Sequence, residues 1–214
     1  MPPARIPCPC RALGAEKVAK LELKNPLSAN FDRALQLAHD LHRWQPRKKS
    51  DVPYIAHLLA VTAIVLENGG DEDTAIAALL HDAVEDQGGQ PTLDRICHEF
   101  GERVARIVHE CTDADGEPKP PWRFRKEQYL QALPHKSTEA LLVSFGDKIH
   151  NCRSIACDLR RDGAVVWDRF EGRRDGTLWY YHELLEKFPR EPYAWLYDEF
   201  AAAVRALNDA AKSC

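Results

Sequence analysis

The stretch Ala77-Ala78-Leu79-Leu80-His81-Asp82-Ala83-Val84-Glu85-Asp86 passes from an apolar run directly into four side chains that can bind metal or transfer protons. If the stretch is one helix, these four side chains lie at about 0°, 100°, 40° and 140° around its axis and share one side. A helix end with solvated charges would explain the carboxylates. It explains less well why His81 and Asp82 directly follow two leucines, so we interpret the stretch as a candidate catalytic segment.

The bulk composition is that of an ordinary soluble domain, with 214 residues, 44% apolar residues and 29% charged residues. The net charge of −4 does not favour binding to nucleic acid or to an anionic membrane. No apolar run approaches the roughly 20 residues of a membrane span, and the N-terminus lacks the apolar core of a signal peptide. We therefore expect a cytoplasmic protein whose partner is a small molecule. The sequence does not indicate the oligomeric state.

The seven cysteines favour reduced thiols rather than a disulfide framework, because their number is odd and no pair has CxxC spacing. Cys8 and Cys10 flank a proline in the N-terminal tail. Two potential ligands in a proline-rich segment are weak evidence for a metal site, so we assign this pair no role.

Hydrophobic periodicity predicts an all-α fold, a single helical bundle of about eight to ten helices. Residues 1–26 carry five of the 14 prolines and are expected to form a flexible extension before one domain at 27–214. The longest predicted helix, from Glu139 to about Leu159, has Asp147 and Asn151 opposite its apolar face. A solvated face is the ordinary interpretation. However, the helix is apolar enough to be central, and buried polar groups need partners.

A basic loop precedes His57, which opens a predicted helix. Most charge clusters are solvated surface loops, and an isolated histidine at a helix start is more often structural than a ligand. Alternatively, the loop is an anion clamp beside the acidic segment, as a substrate with several phosphates would require. Its basic residues are Arg43, Arg47, Lys48 and Lys49.

The order His57, then His81-Asp82, then Asp147 resembles the H…HD…D pattern of the HD-domain metal-dependent phosphohydrolases. The surrounding motifs are similar to those of the hydrolase domain in the RelA/SpoT group, over about Phe31 to Leu159. The chain length leaves no room for a synthetase region, so the resemblance is to small stand-alone alarmone hydrolases, which include the metazoan SpoT-like type. The matching motifs are Gln45-Pro46-Arg47-Lys48, Pro53-Tyr54-Ile55-Ala56-His57, Ala77 to Asp86, Phe100-Gly101-Glu102-Arg103-Val104 and Gly146-Asp147-Lys148-Ile149-His150-Asn151.

This resemblance implies a helical HD domain around one metal ion, usually Mn²⁺. The implied reaction removes pyrophosphate from the 3′ position of (p)ppGpp, a nucleotide of the stringent response, and returns GDP or GTP. The implied metal ligands are His57, His81, Asp82 and Asp147. Glu85 and Asp86 match the pair that activates water. Arg47 and Lys48 match basic residues near the nucleotide and its phosphates, and Lys148, Asn151 and Ser154 match positions that line the nucleotide pocket.

The residue chemistry agrees with this assignment. Two imidazoles and two carboxylates form a mixed nitrogen and oxygen set that suits Mn²⁺, Fe²⁺ or Zn²⁺. Glu85 lies one predicted helical turn from His81, where it can take a proton from water. Asp86 can orient the water or share that role, and the sequence does not assign the proton between these two carboxylates.

Three positions depart from the family motifs: Leu58, Gln87 and Gly146 stand where the family commonly has Pro, Thr and Ala. None removes a predicted ligand, but they leave (p)ppApp open as a second substrate. One alternative is an HD hydrolase of another phosphorylated nucleotide, such as NADPH. Another is a catalytically silent HD module that binds a nucleotide, against which the retained Glu85 and Asp86 argue. A nucleic-acid binder fits least, because the basic residues are local.

Overall fold

The computed structural model describes residues 26–48, 50–113 and 119–214. Cys8, Cys10 and Lys49 lie outside these ranges, as does almost all of the predicted extension. Regular structure in the described ranges is helical, which confirms the predicted all-α class. The α-helices are α1 (Ala29–His42), α2 (Ile55–Glu67), α3 (Glu72–Leu80), α4 (Ala83–Asp86), α5 (Gln90–Phe100), α6 (Glu102–Cys111), α7 (Trp122–Ala132), α8 (Thr138–Asp162), α9 (Arg173–Lys187) and α10 (Ala194–Lys212).

Side-chain caps begin several helices where the sequence offers a short oxygen-bearing residue. Ser28, Asp71 and Ser137 each accept a hydrogen bond from a backbone N–H in the first turn of α1, α3 and α8. Gly163 ends α8 with a positive φ of 72°, a conformation that glycine adopts without strain. The short apolar run around Val165 forms a 3₁₀ segment at Gly163–Arg169 rather than a strand.

Helix α8 forms the centre of the bundle and packs against α2, α3, α6 and α10. Phe145 is completely buried, stacks on Phe188 with ring centroids 4.1 Å apart, and meets Phe200 edge-on. The opposite side of α8 is also covered, and Asp147 is only 8% exposed. The ordinary interpretation of that side as a solvated face is therefore wrong at Asp147. Of the described helices, none combines the length and the apolar character needed to cross a membrane.

Gly146 allows α8 to approach α2 closely beside the predicted ligands. A Cβ at Gly146 would lie 3.2 Å from Val61 Cγ1 and 3.3 Å from the Val61 carbonyl oxygen. These separations are tighter than ordinary van der Waals contact. The missing methyl group therefore brings Asp147 on α8 to the level of His57 on α2.

The stretch from Ala77 to Asp86 is not the single helix that we predicted. Helix α3 ends at Leu80 and α4 begins at Ala83, with a turn at His81 and Asp82 between them. The backbone of Asp82 has φ −95° and ψ −4°, outside the helical norm. In a continuous helix the side chains of neighbouring residues diverge by about 100°. The turn lets His81 and Asp82 point to the same place.

Candidate metal centre and nucleotide cavity

Three separate parts of the chain bring the predicted metal ligands together. His57 comes from α2, His81 and Asp82 from the turn between α3 and α4, and Asp147 from α8. His57 Nε2 lies 3.2 Å from Asp147 Oδ1 and 3.5 Å from Asp82 Oδ2. His81 Nε2 lies 3.1 Å from Asp82 Oδ2 and 3.9 Å from Asp147 Oδ1. The four side chains thus converge on one point inside the bundle.

The donor set fits a divalent metal ion. Ligand atoms of His57, His81 and Asp147 all lie within 4.8 Å of one another, and Asp82 stands beside them. The Nε2 atoms of His57 and His81 are buried and make no hydrogen bond to the described residues. Buried polar atoms ordinarily have a partner. An ion held between these nitrogens and the two carboxylates would supply it.

The electrostatics of the same point favour positive charge. Burial alone would raise the pKa of Asp82, but His81 and His57 overcome this effect and hold it well below its ordinary range. The pKa of Asp147 is likewise well below its ordinary value, since Lys148 and the imidazoles outweigh the effect of burial. Burial lowers the pKa of His81, yet Asp82 and Asp147 raise it to about 9. The carboxylates therefore stay ionised and attract a cation.

Each predicted carboxylate ligand is held by a neighbouring donor. The Tyr54 hydroxyl donates to Asp82 Oδ2 at 2.5 Å. Lys148 Nζ lies 2.5 Å from Asp147 Oδ2, and the Asn151 amide donates to Asp147 Oδ1. Such outer hydrogen bonds fix the orientation of a ligand before an ion binds. Tyr54 was not among the predicted site residues, although it lies within the motif that ends at His57.

The two imidazoles are supported by different groups. His81 Nδ1 lies 2.8 Å from the carbonyl oxygen of Ala78. His57 Nδ1 lies 2.8 Å from Nδ1 of His150, a residue for which no role was predicted. Burial, followed by the proximity of His57 and Arg47, lowers the pKa of His150 to about 4. His150 is therefore a neutral imidazole near pH 7.

Glu85 lies between the metal ligands and a group of cations. Lys119 Nζ is 3.4 Å and Arg125 Nη1 is 3.7 Å from Glu85 Oε1. Burial raises the pKa of Glu85, and the charges of Asp82 and Asp113 raise it further. A carboxylate with increased basicity beside a metal centre is suited to accept a proton from water.

Asp86 occupies a different environment, in a chain of amide hydrogen bonds. The Gln45 amide donates to Asp86 Oδ2 at 2.8 Å, and the Gln87 amide donates to Gln45 Oε1 at 2.5 Å. His42 Nδ1 also lies 2.7 Å from Gln45 Oε1. These two contacts to its oxygen turn the amide nitrogen of Gln45 towards Asp86. Gln87, one of the departures from the family motif, thus takes part in positioning this carboxylate.

The predicted nucleotide-binding residues line one cavity of about 500 Å³, a size typical of small-molecule sites. His57 and Glu85 line the same cavity, so the metal centre opens into it. Arg47 donates to the Asn151 side-chain oxygen at 2.5 Å, which ties the basic loop to α8. The structure brings together in this cavity Arg47, Lys48, Lys148, Asn151 and Ser154.

The cavity is also lined by basic residues that were not predicted as site residues, and we name them the cationic wall: Lys119, Arg125, Lys126 and Arg169. Asp113 holds part of it, since its Oδ2 is 3.1 Å from Arg125 Nη1 and 2.6 Å from Lys126 Nζ. The adjacent basic residues Arg125 and Lys126 in α7 were the sequence signal from which part of the cationic wall could have been predicted. Their side chains were not assigned because nothing in the sequence relates α7 to the ligand helices.

Comparison with known proteins places the chain in a family. The HD domain family matches residues 34–178, more than half of the chain. The mouse (Mus musculus) guanosine-3′,5′-bis(diphosphate) 3′-pyrophosphohydrolase MESH1 is 39% identical over 143 residues, which cover 65% of this chain and 75% of the mouse protein. A GTP pyrophosphokinase of Streptomyces coelicolor is 33% identical over 178 residues, or 81% of this chain and 20% of that relative.

A solved structure agrees over a longer part of the chain. It is a metazoan ortholog of SpoT, described as hydrolysing ppGpp and acting in starvation responses. It matches with a TM-score of 0.71 and 29% identity, and the alignment covers 85% of this chain and 97% of that chain. The converging histidines and aspartates, the helical bundle and these similarities agree, and the chain belongs to the HD domain family, with homology to the SpoT hydrolase domain.

Proposed function

We propose that the protein is a metal-dependent 3′-pyrophosphohydrolase that converts ppGpp or pppGpp to GDP or GTP and pyrophosphate. The observation that carries the proposal is a buried His/Asp centre that opens, beside Glu85, into a cavity rich in cations. Relatives named for this activity support it. The proposed enzyme comprises residues 27–214 as one domain.

We propose Mn²⁺ as the ion and His57, His81, Asp82 and Asp147 as its ligands. This mixed nitrogen and oxygen set suits Mn²⁺, and also Fe²⁺ or Zn²⁺. When bound, the ion would lower the pKa of water and polarise a phosphoryl oxygen. The protein contributes the fixed orientation of each ligand, through the hydrogen bonds from Tyr54 and to His150 and Ala78.

Glu85 is the proposed general base. The oxygen of water forms a bond to the phosphorus attached to the 3′ oxygen, and the bond between that phosphorus and the 3′ oxygen breaks. One water proton passes to Glu85, and the leaving 3′ oxygen becomes a hydroxyl by taking a proton from the protonated Glu85 or from solvent. Glu85 suits this role because it lines the cavity and has a raised pKa. Asp86 does not line the cavity and is held by Gln45, so its proposed role is to orient this end of the site.

The charge of the cavity suits a nucleotide with two diphosphate groups. Eight lysine or arginine side chains line it, against three carboxylates. Such an excess of cations stabilises the negative charge that the substrate carries and that develops at the phosphorus. Arg47 and Lys48 are proposed to contact the nucleotide and its phosphates, and Asn151 and Ser154 are proposed to face the base.

The test is direct. The purified protein with Mn²⁺ should release pyrophosphate from ppGpp, whereas Asp82→Ala and Glu85→Ala should not. Glu127→Gln is the matched control, because the Glu127 side chain is 46% exposed against 20% for Glu85, and among the described residues it pairs with Arg123 on α7. If the wild type leaves ppGpp and ppApp intact but cleaves another phosphorylated nucleotide, the substrate assignment is wrong. If it binds ppGpp without cleaving it under any metal, the protein is a nucleotide-binding HD module.

A further inference from the structure

The two histidines of the metal centre differ in the group that supports them. His81 donates to a backbone carbonyl oxygen, which accepts a hydrogen bond in every state of the protein. His57 is paired with the side chain of His150, ring nitrogen to ring nitrogen, at 2.8 Å. The ring centroids are 4.9 Å apart and the planes are tilted by 44°, so the pair is held through its nitrogens rather than by stacking.

The position of His57 determines which ring nitrogens carry hydrogen. Its Nε2 faces Asp147 and Asp82 and must be without hydrogen when it acts as a ligand. The hydrogen of His57 is then on Nδ1, and it is donated to Nδ1 of His150. A neutral imidazole has one acceptor and one donor nitrogen. His150 therefore accepts at Nδ1 and carries its own hydrogen on Nε2.

The second nitrogen of His150 belongs to the substrate side of the site. His150 is half-buried and lines the cavity together with Arg47 and Asn151. Within the described residues, no hydrogen bond involves its Nε2, and this atom is not among the buried unpartnered ones. The cavity thus has a neutral N–H donor next to the proposed metal ligand His57.

We propose that His150 is a positioning residue with two contacts: it fixes His57 in the ligand tautomer through Nδ1, and it donates from Nε2 to an oxygen of the bound nucleotide. The second contact rests on the proposed function, whereas the first does not. The pair would connect metal binding to nucleotide binding through one imidazole ring. Outer partners of metal-bound histidines commonly influence metal affinity in this way.

Three substitutions separate the two contacts. In His150→Asn the side-chain oxygen can take the place of Nδ1 and accept from His57, but nothing replaces Nε2. In His150→Gln the amide reaches the place of Nε2, but the acceptor for His57 is lost. His150→Phe removes both contacts and keeps a ring of similar size. His182→Phe is the matched control, because His182 is exposed on α9 and its hydrogen-bond partner among the described residues is Asn208.

The first measurement is the affinity of the metal-stripped protein for Mn²⁺ or Zn²⁺, by competition with a chromogenic chelator and without nucleotide. His150→Phe and His150→Gln should weaken it by about tenfold to a hundredfold, whereas His150→Asn and the control should stay close to wild type. Nitrogen-15 spectra of the imidazoles in the Zn²⁺-loaded wild type should show His57 with hydrogen on Nδ1 and His150 with hydrogen on Nε2.

The second measurement is the steady-state kinetics of ppGpp hydrolysis at saturating metal. His150→Asn should raise KM with little change in kcat, because it removes a contact made equally in the ground and transition states, and His150→Gln should restore KM. Wild-type metal affinity in His150→Phe, or the opposite tautomer in the spectra, would overturn the inference. A wild type that binds metal as described but does not cleave ppGpp would instead contradict the proposed function alone.

Discussion

The two sides of the cavity are built in different ways. The proposed ligands His57, His81, Asp82 and Asp147, which we name the metal floor, lie on α2, on α8 and in the turn between α3 and α4, and these elements pack around the apolar core with α8 at its centre. The cationic wall of Lys119, Arg125, Lys126 and Arg169 is held largely by ion pairs with neighbouring carboxylates. Arg125 pairs with Asp113 and Glu171, and Arg169 pairs with Asp158 and Asp162.

This difference suggests that the metal floor determines the chemical step and the cationic wall determines the affinity for substrate. Closely packed helices hold the metal floor to a fixed geometry, since interiors resist changes of even one methyl group. Part of the cationic wall is itself buried, since the side chains of Arg125 and Asp113 are only 9% and 5% exposed, whereas the Glu171 side chain is 69% exposed. Exposed ion pairs are weak and exchange partners at small cost, but buried pairs are costly to break. The cationic wall can therefore adjust to phosphate groups at its exposed edge near Glu171, while the metal floor stays in place. Substitutions in the floor should affect the chemical step and stability, and substitutions in the wall should affect substrate binding.

The largest effect is expected from Asp147→Ala in the metal floor. It removes a proposed metal ligand, so pyrophosphate release should fall to the background of the assay. It also leaves the largely buried Lys148 without its partner at 2.5 Å, which should lower the free energy of unfolding by about 3 kcal/mol. Adding Lys148→Met should restore most of this stability in urea unfolding but none of the activity. Unchanged stability of the single variant would show that the two side chains do not form a fixed pair.

Lys126→Met in the cationic wall should act mainly on binding. A hydrogen bond from a charged donor contributes about 1.5–3 kcal/mol, so KM for ppGpp should rise about tenfold or more. The kcat should change little, and the difference from wild type should shrink as salt is added, because salt screens the charge. Lys187→Met is the control, because Lys187 is an exposed residue at the end of α9. A fall in kcat without a rise in KM would place Lys126 in the chemistry and remove the distinction between wall and floor.

A smaller effect is expected from Gln87→Thr, at the edge of the metal floor. Threonine is too short to donate to Gln45, whose amide then loses one of the contacts that turn it towards Asp86. A net hydrogen bond contributes about 1 kcal/mol, so kcat should fall about fivefold while metal affinity stays unchanged. Gln45→Leu should lower kcat at least as much. Wild-type kcat in both variants would mean that the orientation of Asp86 does not matter for the reaction.

The smallest effect should come from Gly146→Ala, where α8 approaches α2. Alanine favours a helix over glycine by about 1 kcal/mol. Here its methyl group would press on Val61 at 3.2–3.3 Å and move α8 outward by a few tenths of an ångström. The melting temperature should therefore rise by less than the helix preference alone predicts, and affinity for Mn²⁺ should fall slightly as Asp147 moves from His57. A full gain in stability with unchanged metal affinity would show that the approach is not needed.

Much of the fold was predictable from local patterns. Hydrophobic periodicity and caps depend only on residues a few positions apart, so the all-α class and the course of α1, α8 and α10 follow from the sequence. The prediction of one continuous helix through His81 and Asp82 was wrong. Periodicity continues across the break, whereas the side chains that contact Asp82 in the turn, Tyr54 and His57, come from elsewhere in the chain.

The sequence by itself determined the types of residue at the metal centre and their order, because the H…HD…D pattern and its flanking motifs can be read along the chain. The assignment of those residues as ligands remains a prediction. Only the tertiary structure decided that Asp147 is buried against His57, that the cationic wall faces Glu85, and that His150 supports His57. Each depends on packing between helices that are dozens of residues apart in the chain. Patterns of neighbouring residues do not encode which distant helices pack together.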